Sequence, residues 1–65
     1  MLSTKFLLMK ARQVIIQGGN YLAASYYCEI AAIHAENAGS LKHAECCRSA
    51  AMACADRVQA PVLSF

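Results

Sequence analysis

Four cysteines and two histidines are the side chains of this sequence that could bind a metal ion. His43 and Cys47 lie four residues apart, which would place them on one face of a helix, and Cys54 follows two turns later. Cys28 could approach them from a neighbouring helix. The sequence contains no Cys-x-x-Cys pair, however, and the adjacent Cys46 and Cys47 would point about 100° apart on a helix, unlike zinc ligands. We therefore expect no metal and no other cofactor, and cysteines that pack as small apolar side chains.

The same residues offer one catalytic pair, with Cys47 as the nucleophile and His43 as its base. Such a pair also needs a third group that orients the base, and the sequence presents none. A helical chain of 65 residues leaves little room for a small-molecule pocket, which needs about 300 Å³ or more. We therefore expect a protein that is not an enzyme and has no small-molecule substrate.

Basic residues toward the C-terminal end suggest an alternative, a small helix-turn-helix regulator that binds DNA. Its reading side would consist of Lys42, His43, Arg48 and Arg57. The net charge of +2 neither favours nor opposes this alternative. Alanine, cysteine and methionine dominate the segment, and the amide and arginine side chains that read base edges are sparse there. We keep DNA binding as the alternative and do not expect nucleic acid to be the main partner.

The apolar run near the N-terminus is too short to cross a membrane or to act as a signal peptide. It extends only from Phe6 to Met9 before Lys10 and Arg12 interrupt it. A membrane span needs about 20 apolar residues. We therefore expect no membrane partner and a cytoplasmic protein, in which the cysteines are reduced thiols.

Capping residues and helix breakers divide the chain into three predicted helices, at about residues 4–17, 21–38 and 41–59. The residues that favour a helix start are Ser3-Thr4, Asn20 and Ser40. The residues that favour a helix end are Gly18-Gly19, Gly39 and Pro61. A strand is conceivable at the β-branched cluster from Val14 to Ile16, but a single strand would have no partner. The sequence therefore predicts one all-helical domain over residues 1–65.

Small side chains line one face of each of the last two predicted helices. The second helix carries Ala24, Cys28, Ala31, Ala35 and Ala38, with Tyr27 beside them. The third helix carries Leu41, Ala44, Cys47, Ala51, Cys54 and Val58 at steps of three and four residues. Because small residues let helices approach closely, we expect a tight antiparallel hairpin joined by the turn Gly39-Ser40.

A second face of the middle helix carries bulkier residues, namely Leu22, Tyr26, Ile30 and Ile33. Only a narrow strip of that helix is expected to face water, namely Ser25, Glu29, Ala32 and Glu36. The first helix is expected to cover the bulky face with Phe6, Leu7, Met9, Val14 and Ile16, either within one chain or from a second copy. The larger residues, Tyr21, Tyr26, Tyr27, Ile30 and Ile33, are thus either ordinary core or in part an interface, where tyrosine is favoured.

The composition favours self-association. The chain is 58% hydrophobic and only 15% charged. A domain of this size hides only about 60% of the surface that its unfolded chain exposes, and small folds usually need a disulfide, a metal or a second copy for stability. We therefore expect a homo-oligomer, most simply a dimer that forms a helical bundle. The residues expected to pack between helices or between copies are Phe6, Ala24, Tyr27, Ala31, Ile33, Ala44, Cys47 and Ala51.

The segment that begins at Gly19 resembles the second helix of a tetratricopeptide repeat. The pattern of that family, G-(D/N)-Y-x-x-A-x-x-Y-x-x-x-A, is matched by Gly19, Asn20, Tyr21, Ala24, Tyr27 and Ala31. The resemblance covers about residues 8–38, with Leu8, Ala11 and Ile15 at apolar positions of the preceding helix. It lacks the aromatic residue and glycine of the first helix, the proline after the second and a second full repeat. It implies a helix-turn-helix unit that binds peptides or proteins and finds its missing neighbour in another chain.

These expectations combine into a dimeric helical adaptor or inhibitor that docks on a larger protein, such as a transcription factor or an ATPase. In size and character the chain looks like the small regulatory proteins, including anti-activators, of bacteria, plasmids and phages. The residues expected to contact the target are Lys10, Arg12, Tyr21, Tyr26 and Ile30, because interface hot spots favour aromatic residues and arginine. A purely structural subunit of a larger assembly is a further alternative.

Overall fold

The computed structural model describes residues 3–58, which form three α-helices and no strand. Helix α1 spans Thr4–Gly18, α2 spans Tyr21–Asn37 and α3 spans Leu41–Arg57. The predicted all-helical architecture with three helices is therefore confirmed, and the ends of α1 and α2 each differ from the predicted ones by one residue. The predicted end of the third helix at Gln59 and the tail from Pro61 to Phe65 lie outside the described residues.

The start of each helix shows how the predicted capping residues act. The Ser3 hydroxyl accepts a hydrogen bond from the Phe6 backbone N–H at 3.1 Å, and the Asn20 side-chain oxygen accepts one from the Ala23 N–H at 3.1 Å. Ser40 occupies the cap position of α3 but makes no such bond, because its hydroxyl lies 2.8 Å from His43 Nδ1 instead. Two of the three helices are thus capped by a side chain in the usual way.

The first two helices end where the chain enters the left-handed region at a glycine. Gly19 has a φ of 62° and donates its backbone N–H to the Ile15 carbonyl at 2.8 Å. Gly39 has a φ of 82°, and the Ser40 N–H that follows donates to the Ala35 carbonyl at 2.9 Å. An L-residue with a side chain pays a steric penalty in this conformation, which explains why glycine stands at both ends.

Helix α2 is the central element, since it contacts both α1 and α3. The core formed at these contacts consists mainly of alanine and cysteine. Its buried members are Leu7, Ala11, Ala24, Cys28, Ala31, Ala32, Ala35, Ala44, Cys47 and Ala51. Leu7 is the largest of them, so the described helices associate through closely spaced small side chains rather than through bulky ones. Such a core contributes little apolar area per residue.

Helix α1 packs on the small-residue side of α2 and not on its bulky side. Leu7 lies in a cluster with Ala31, and Ala11 lies in a second cluster with Ala24. The Thr4 hydroxyl also donates a hydrogen bond to the Ala31 carbonyl at 3.5 Å. The expectation that α1 covers the Tyr26 and Ile30 side from within the same chain is therefore wrong. Alanine admits a closer approach of α1 than the bulky residues would.

The predicted water-facing strip of α2 is also wrong at two of its four positions. Ser25 and Ala32 are 5% and 1% exposed, while Glu29 and Glu36 are exposed as expected. Ala32 is buried in the cluster that contains Cys47 of α3. Ser25 can be buried at little cost because its hydroxyl donates to the Leu22 carbonyl at 2.8 Å.

Candidate interaction surface

The side of α2 that points away from the core carries four large apolar residues that are exposed to solvent. Leu22, Tyr26, Ile30 and Ile33 are 49%, 57%, 41% and 53% exposed. Their spacing of four, four and three residues places them along one side of the helix. Glu29 and Glu36 are exposed on the same side. We call these six residues the α2 face. It is an apolar stripe with two carboxylates.

The α2 face has a negative electrostatic character. Helix α2 contains Glu29 and Glu36 and no lysine or arginine. The Glu36 carboxylate lies 2.7 Å from Arg48 Nη2 of α3, in a pair whose side chains are 41% and 50% exposed. A solvent-exposed pair of this kind contributes only about 0–1 kcal/mol, so the pair is a weak tether between α2 and α3.

A depression on the surface extends the α2 face toward α3. Glu29, Ile33, Arg48, Ala51 and Met52 line it. Met52 is 69% exposed, so its flexible thioether side chain adds a further apolar contact to the stripe. Methionine adapts its shape to irregular partners, which suits a surface that receives another chain.

The outer side of α1 has the opposite charge. Met9 and Ile16 are 57% and 75% exposed, and Leu8 is 37% exposed. Lys5 and Arg12 line a depression together with Leu8 and Met9, so their charged groups lie beside apolar ones. We call these five residues the α1 face. Helix α1 contains no aspartate or glutamate, which makes this face apolar and basic.

The five predicted target-contact residues lie at several different places. Tyr26 and Ile30 belong to the α2 face, whereas Arg12 belongs to the α1 face. The Lys10 ammonium lies 5.8 Å from the centre of the Phe6 ring within α1, and the Arg57 guanidinium lies 5.5 Å from the centre of the Tyr21 ring. Lys10 and Tyr21 are only partly exposed, and each takes part in a cation–π contact within the chain.

Six of the eight predicted packing residues lie in or against the core of the single chain. Ala24, Ala31, Ala44, Cys47 and Ala51 are buried, and Tyr27 packs against both core clusters. Phe6 and Ile33 are 37% and 53% exposed and do not belong to this core. Their predicted packing role could apply only between copies of the chain.

Sequence reasoning missed the α1 face. Leu8 and Ile16 were expected at packing positions of α1, but they lie at its exposed surface. Lys5 and Arg12 provide the signal that could have revealed the face, because basic residues three or four positions from Leu8, Met9 and Ile16 indicate a side in contact with water.

The four cysteines are free thiols, of which Cys28 and Cys47 are buried. Burial raises the pKa of Cys28 to about 11, with smaller contributions from the neighbouring Cys54 and Cys47. Burial also raises the pKa of Cys47, and the adjacent Cys46 adds to the effect. A raised pKa keeps both thiols protonated at neutral pH, and it is the thiolate that attacks substrates and binds metals. Across residues 3–58, no three histidine, cysteine, aspartate or glutamate side chains form a group that could hold a metal ion.

Three of the four residues predicted to read DNA make contacts within the chain, while the fourth, Lys42, is exposed. Arg48 pairs with Glu36, Arg57 lies over Tyr21, and His43 shares a hydrogen bond with Ser40. These contacts hold the guanidinium groups of α3 toward α2.

None of the helices in the described part of the chain is sufficiently long and apolar to span a membrane.

Comparison of the chain with protein families, with curated proteins and with solved structures finds no match in any of the three.

Proposed function

We propose that this chain is a non-enzymatic protein–protein interaction module that regulates or inhibits a larger protein, and that the α2 face is its contact surface. The observation that carries the proposal is the stripe of Leu22, Tyr26, Ile30 and Ile33, each between 41% and 57% exposed. Neighbouring apolar side chains exposed together on a small protein are typical of a binding site, whereas single exposed ones are ordinary.

The chemistry of the α2 face specifies the kind of partner. A straight apolar stripe on a helix suits an amphipathic helix of the partner, which would lay its own apolar side along it. Glu29 and Glu36 favour a partner helix with lysine or arginine beside its apolar residues, because complementary charges set orientation and exclude wrong partners. Tyr26 is the expected hot spot, since its ring offers a large apolar surface and its hydroxyl a hydrogen bond.

We infer that α2 and α3 form an antiparallel hairpin that supports this face. Two contacts favour this direction. Arg57 at the end of α3 lies over Tyr21 at the start of α2, and Arg48 in the middle of α3 pairs with Glu36 near the end of α2. Nuclear Overhauser contacts between the Tyr21 ring and the Arg57 side chain are expected in solution, and contacts of Tyr21 with Leu41 instead would contradict the antiparallel direction.

A regulatory role in the cytoplasm agrees with the other features of the chain. The likeness of residues 8–38 to a tetratricopeptide unit supports peptide or protein binding. The raised pKa values of Cys28 and Cys47 make these thiols poor nucleophiles, which supports a role without catalysis. The cytoplasm remains the proposed compartment, because all four cysteines would stay reduced there.

Affinity capture from native extracts, followed by mass spectrometry, tests the proposal. The immobilised chain is compared with the variants Tyr26→Asp and Ile30→Asp, which each place a charge in the α2 face. We expect the wild-type chain to capture a defined protein that both variants lose. Titration of that purified protein against the chain then measures direct binding.

Leu41→Asp is the matched control for this experiment. Leu41 is 67% exposed at the start of α3 and lies outside the α2 face, so the variant also exchanges an exposed apolar residue for a charge. Circular dichroism establishes that all the variants keep their helix content. If all four proteins capture the same partners equally, the α2 face is not the contact surface and the proposal fails.

A further inference from the structure

Two cysteines from different helices meet in the core of this chain. Cys28 of α2 is buried, and Cys54 of α3 is partly buried against the same core cluster, which also contains Ala51. Cys47, two turns before Cys54 on α3, is buried in the other cluster, and Cys46 is exposed. The packing therefore groups Cys28 with Cys54 and not with the other two thiols.

The titration of Cys28 also indicates that Cys54 is its nearest thiol. Burial raises the pKa of Cys28 to about 11, and Cys54 raises it further through its charge and through a hydrogen bond between the two side chains. Cys47 contributes through its charge alone, and less than Cys54 does. A hydrogen bond requires direct contact of the two groups, so Cys54 is the thiol in contact with Cys28.

The backbone of two helices with a small-residue core can accommodate a disulfide at such a place. Packed helix axes lie about 8–10 Å apart, and small contact residues favour the lower end of this range. Because each Cα lies about 2.3 Å from its helix axis, facing Cα atoms are then only about 3.5–5.5 Å apart. A disulfide usually joins Cα atoms about 4.4–6.8 Å apart. Cys28 and Cys54 can therefore be linked with little movement of either helix.

We propose that Cys28 and Cys54 form an oxidation site, at which a hydroperoxide such as hydrogen peroxide converts the two thiols into a disulfide that links α2 to α3. The site goes beyond the proposed function, because neither cysteine belongs to the α2 face. Disulfides of cytoplasmic proteins are usually transient and respond to oxidants. The resting chain therefore carries two thiols, and the link forms only while the oxidant is present.

Each step of this oxidation is balanced. Cys54 is the more accessible of the two, so its thiolate attacks a peroxide oxygen. A sulfur–oxygen bond forms, the oxygen–oxygen bond breaks, and the leaving hydroxide takes up the thiol proton as water. The Cys28 sulfur then attacks the Cys54 sulfenic acid, and the hydroxyl group leaves with the proton of Cys28 as a second water. The two thiols lose two electrons, which the peroxide gains.

The link is expected to stabilise the chain strongly. The reduced chain depends on a core of alanine and cysteine, and small folds of this kind gain most from a covalent staple. A disulfide between positions 28 and 54 closes a long loop in the unfolded chain and so lowers its conformational entropy. We expect the thermal midpoint of the oxidised chain to lie at least about 10 °C above that of the reduced chain.

Peptide mapping locates the link directly. The chain is treated with hydrogen peroxide at low protein concentration, its remaining thiols are alkylated, and it is digested with trypsin without a reductant. Cleavage at lysine and arginine places Cys28 in peptide 13–42, Cys46 and Cys47 in peptide 43–48, and Cys54 in peptide 49–57. We expect peptide 13–42 to be joined to peptide 49–57, with the loss of two hydrogens, and dithiothreitol to separate them.

Cys54→Ala and Cys46→Ala are the matched variants. Cys54→Ala removes the partner of Cys28, so we expect no joined peptide and no rise of the thermal midpoint on oxidation. Cys46→Ala changes an exposed cysteine and should retain both effects. Circular dichroism before oxidation verifies that both variants are helical.

Three results with the wild-type chain would each overturn the proposal: peptide 13–42 joined to peptide 43–48 instead, an intact mass that shows links only between two chains, or a thermal midpoint that oxidation leaves unchanged. None of these results depends on the folding of a variant. They also leave the proposed function intact, since its test relies on Tyr26 and Ile30.

Discussion

At the scale of the residue, the contacts of α2 depend on small side chains at positions where a larger side chain would not fit. Ala24 and Ala31 are both completely buried, and they lie in the two different core clusters. A larger side chain at either position would have to push a neighbouring helix away. The tolerance of each alanine to substitution therefore depends on whether it faces a helix or water, and not on its helix propensity.

Ala24→Leu is expected to destabilise the chain by about 1–3 kcal/mol, because it overpacks a filled contact. Ala53→Leu on the exposed side of α3 adds the same atoms where they meet water, and its effect should stay within about 0.5 kcal/mol. Urea unfolding followed by circular dichroism measures both values. Equal effects of the two substitutions would show that Ala24 is not part of a tight helix contact.

The raised pKa of Cys28 gives the stability of the chain a specific dependence on pH. The folded thiol titrates at about 11, above its ordinary value of 9.0, so between these values the folded chain binds more protons than the unfolded chain. Stability must then fall as the pH rises from about 9 to about 11. Cys28→Ala should reduce this fall, while Cys46→Ala, at an exposed cysteine, should leave it unchanged. Urea unfolding at pH values across this window measures the difference, and identical slopes for the two variants would contradict the assignment.

At the scale of the element, two neighbouring glycines have opposite requirements. Gly18 is the last residue of α1, and a methyl group added there would meet open space. Gly19 has a φ of 62°, a conformation that costs an L-residue about 1–2 kcal/mol. We expect Gly18→Ala to stabilise the chain by about 0.5 kcal/mol and Gly19→Ala to destabilise it by about 1 kcal/mol. Thermal unfolding of the two variants measures these changes, and a shift of the same sign in both would disprove the left-handed turn.

The N-terminal caps of α2 and α3 provide a second comparison between elements. Asn20 accepts a hydrogen bond from the backbone N–H of Ala23, whereas Ser40 makes none to the backbone of α3. Asn20→Ala should therefore cost about 1 kcal/mol, and Ser40→Ala clearly less. The two unfolding free energies decide the matter, and a larger cost at Ser40 would mean that its contact with His43 stabilises the helix start after all.

The sequence allowed the helices to be predicted closely, but not the faces through which they meet. Local signals determine where a helix starts and ends, and Asn20, Gly19 and Gly39 are such signals. Which side of a helix is buried depends on the helices that pack against it, and local signals do not encode that packing. Ser25 and Ala32 looked suited to water, yet both are buried, Ala32 in a cluster with Cys47 of α3. Tyr26 looked suited to a cover that α1 does not supply. For the same reason the sequence left open whether the large residues of the α2 face are core or interface, and it did not reveal the α1 face.

At the scale of the whole molecule, charge and apolar surface are divided between the helices. Helix α1 is exclusively basic among its charged residues, α2 exclusively acidic, and α3 mixed. The exposed apolar residues of α1 and α2 therefore lie in fields of opposite sign. If the α2 face is the contact surface, as proposed, this division favours basic partner helices there and disfavours acidic ones.

The apolar composition predicts self-association, so the thermal midpoint of the wild-type chain should rise with protein concentration, because association stabilises the folded state by mass action. Ile33→Asp, in the α2 face, should abolish this dependence while helicity at low temperature is retained. Melting curves recorded over a hundredfold range of concentration measure the effect. A midpoint that is independent of concentration in the wild type would argue against coupling of folding to association.

The unequal burial of the four thiols gives this protein a ready attachment point for a probe. Cys46 is exposed on α3, whereas Cys28 and Cys47 are enclosed between helices. A maleimide dye or a nitroxide should therefore react first at Cys46 in the unaltered chain. Because Cys46 lies outside both the α1 face and the α2 face, such a label would report on binding at either face without blocking it.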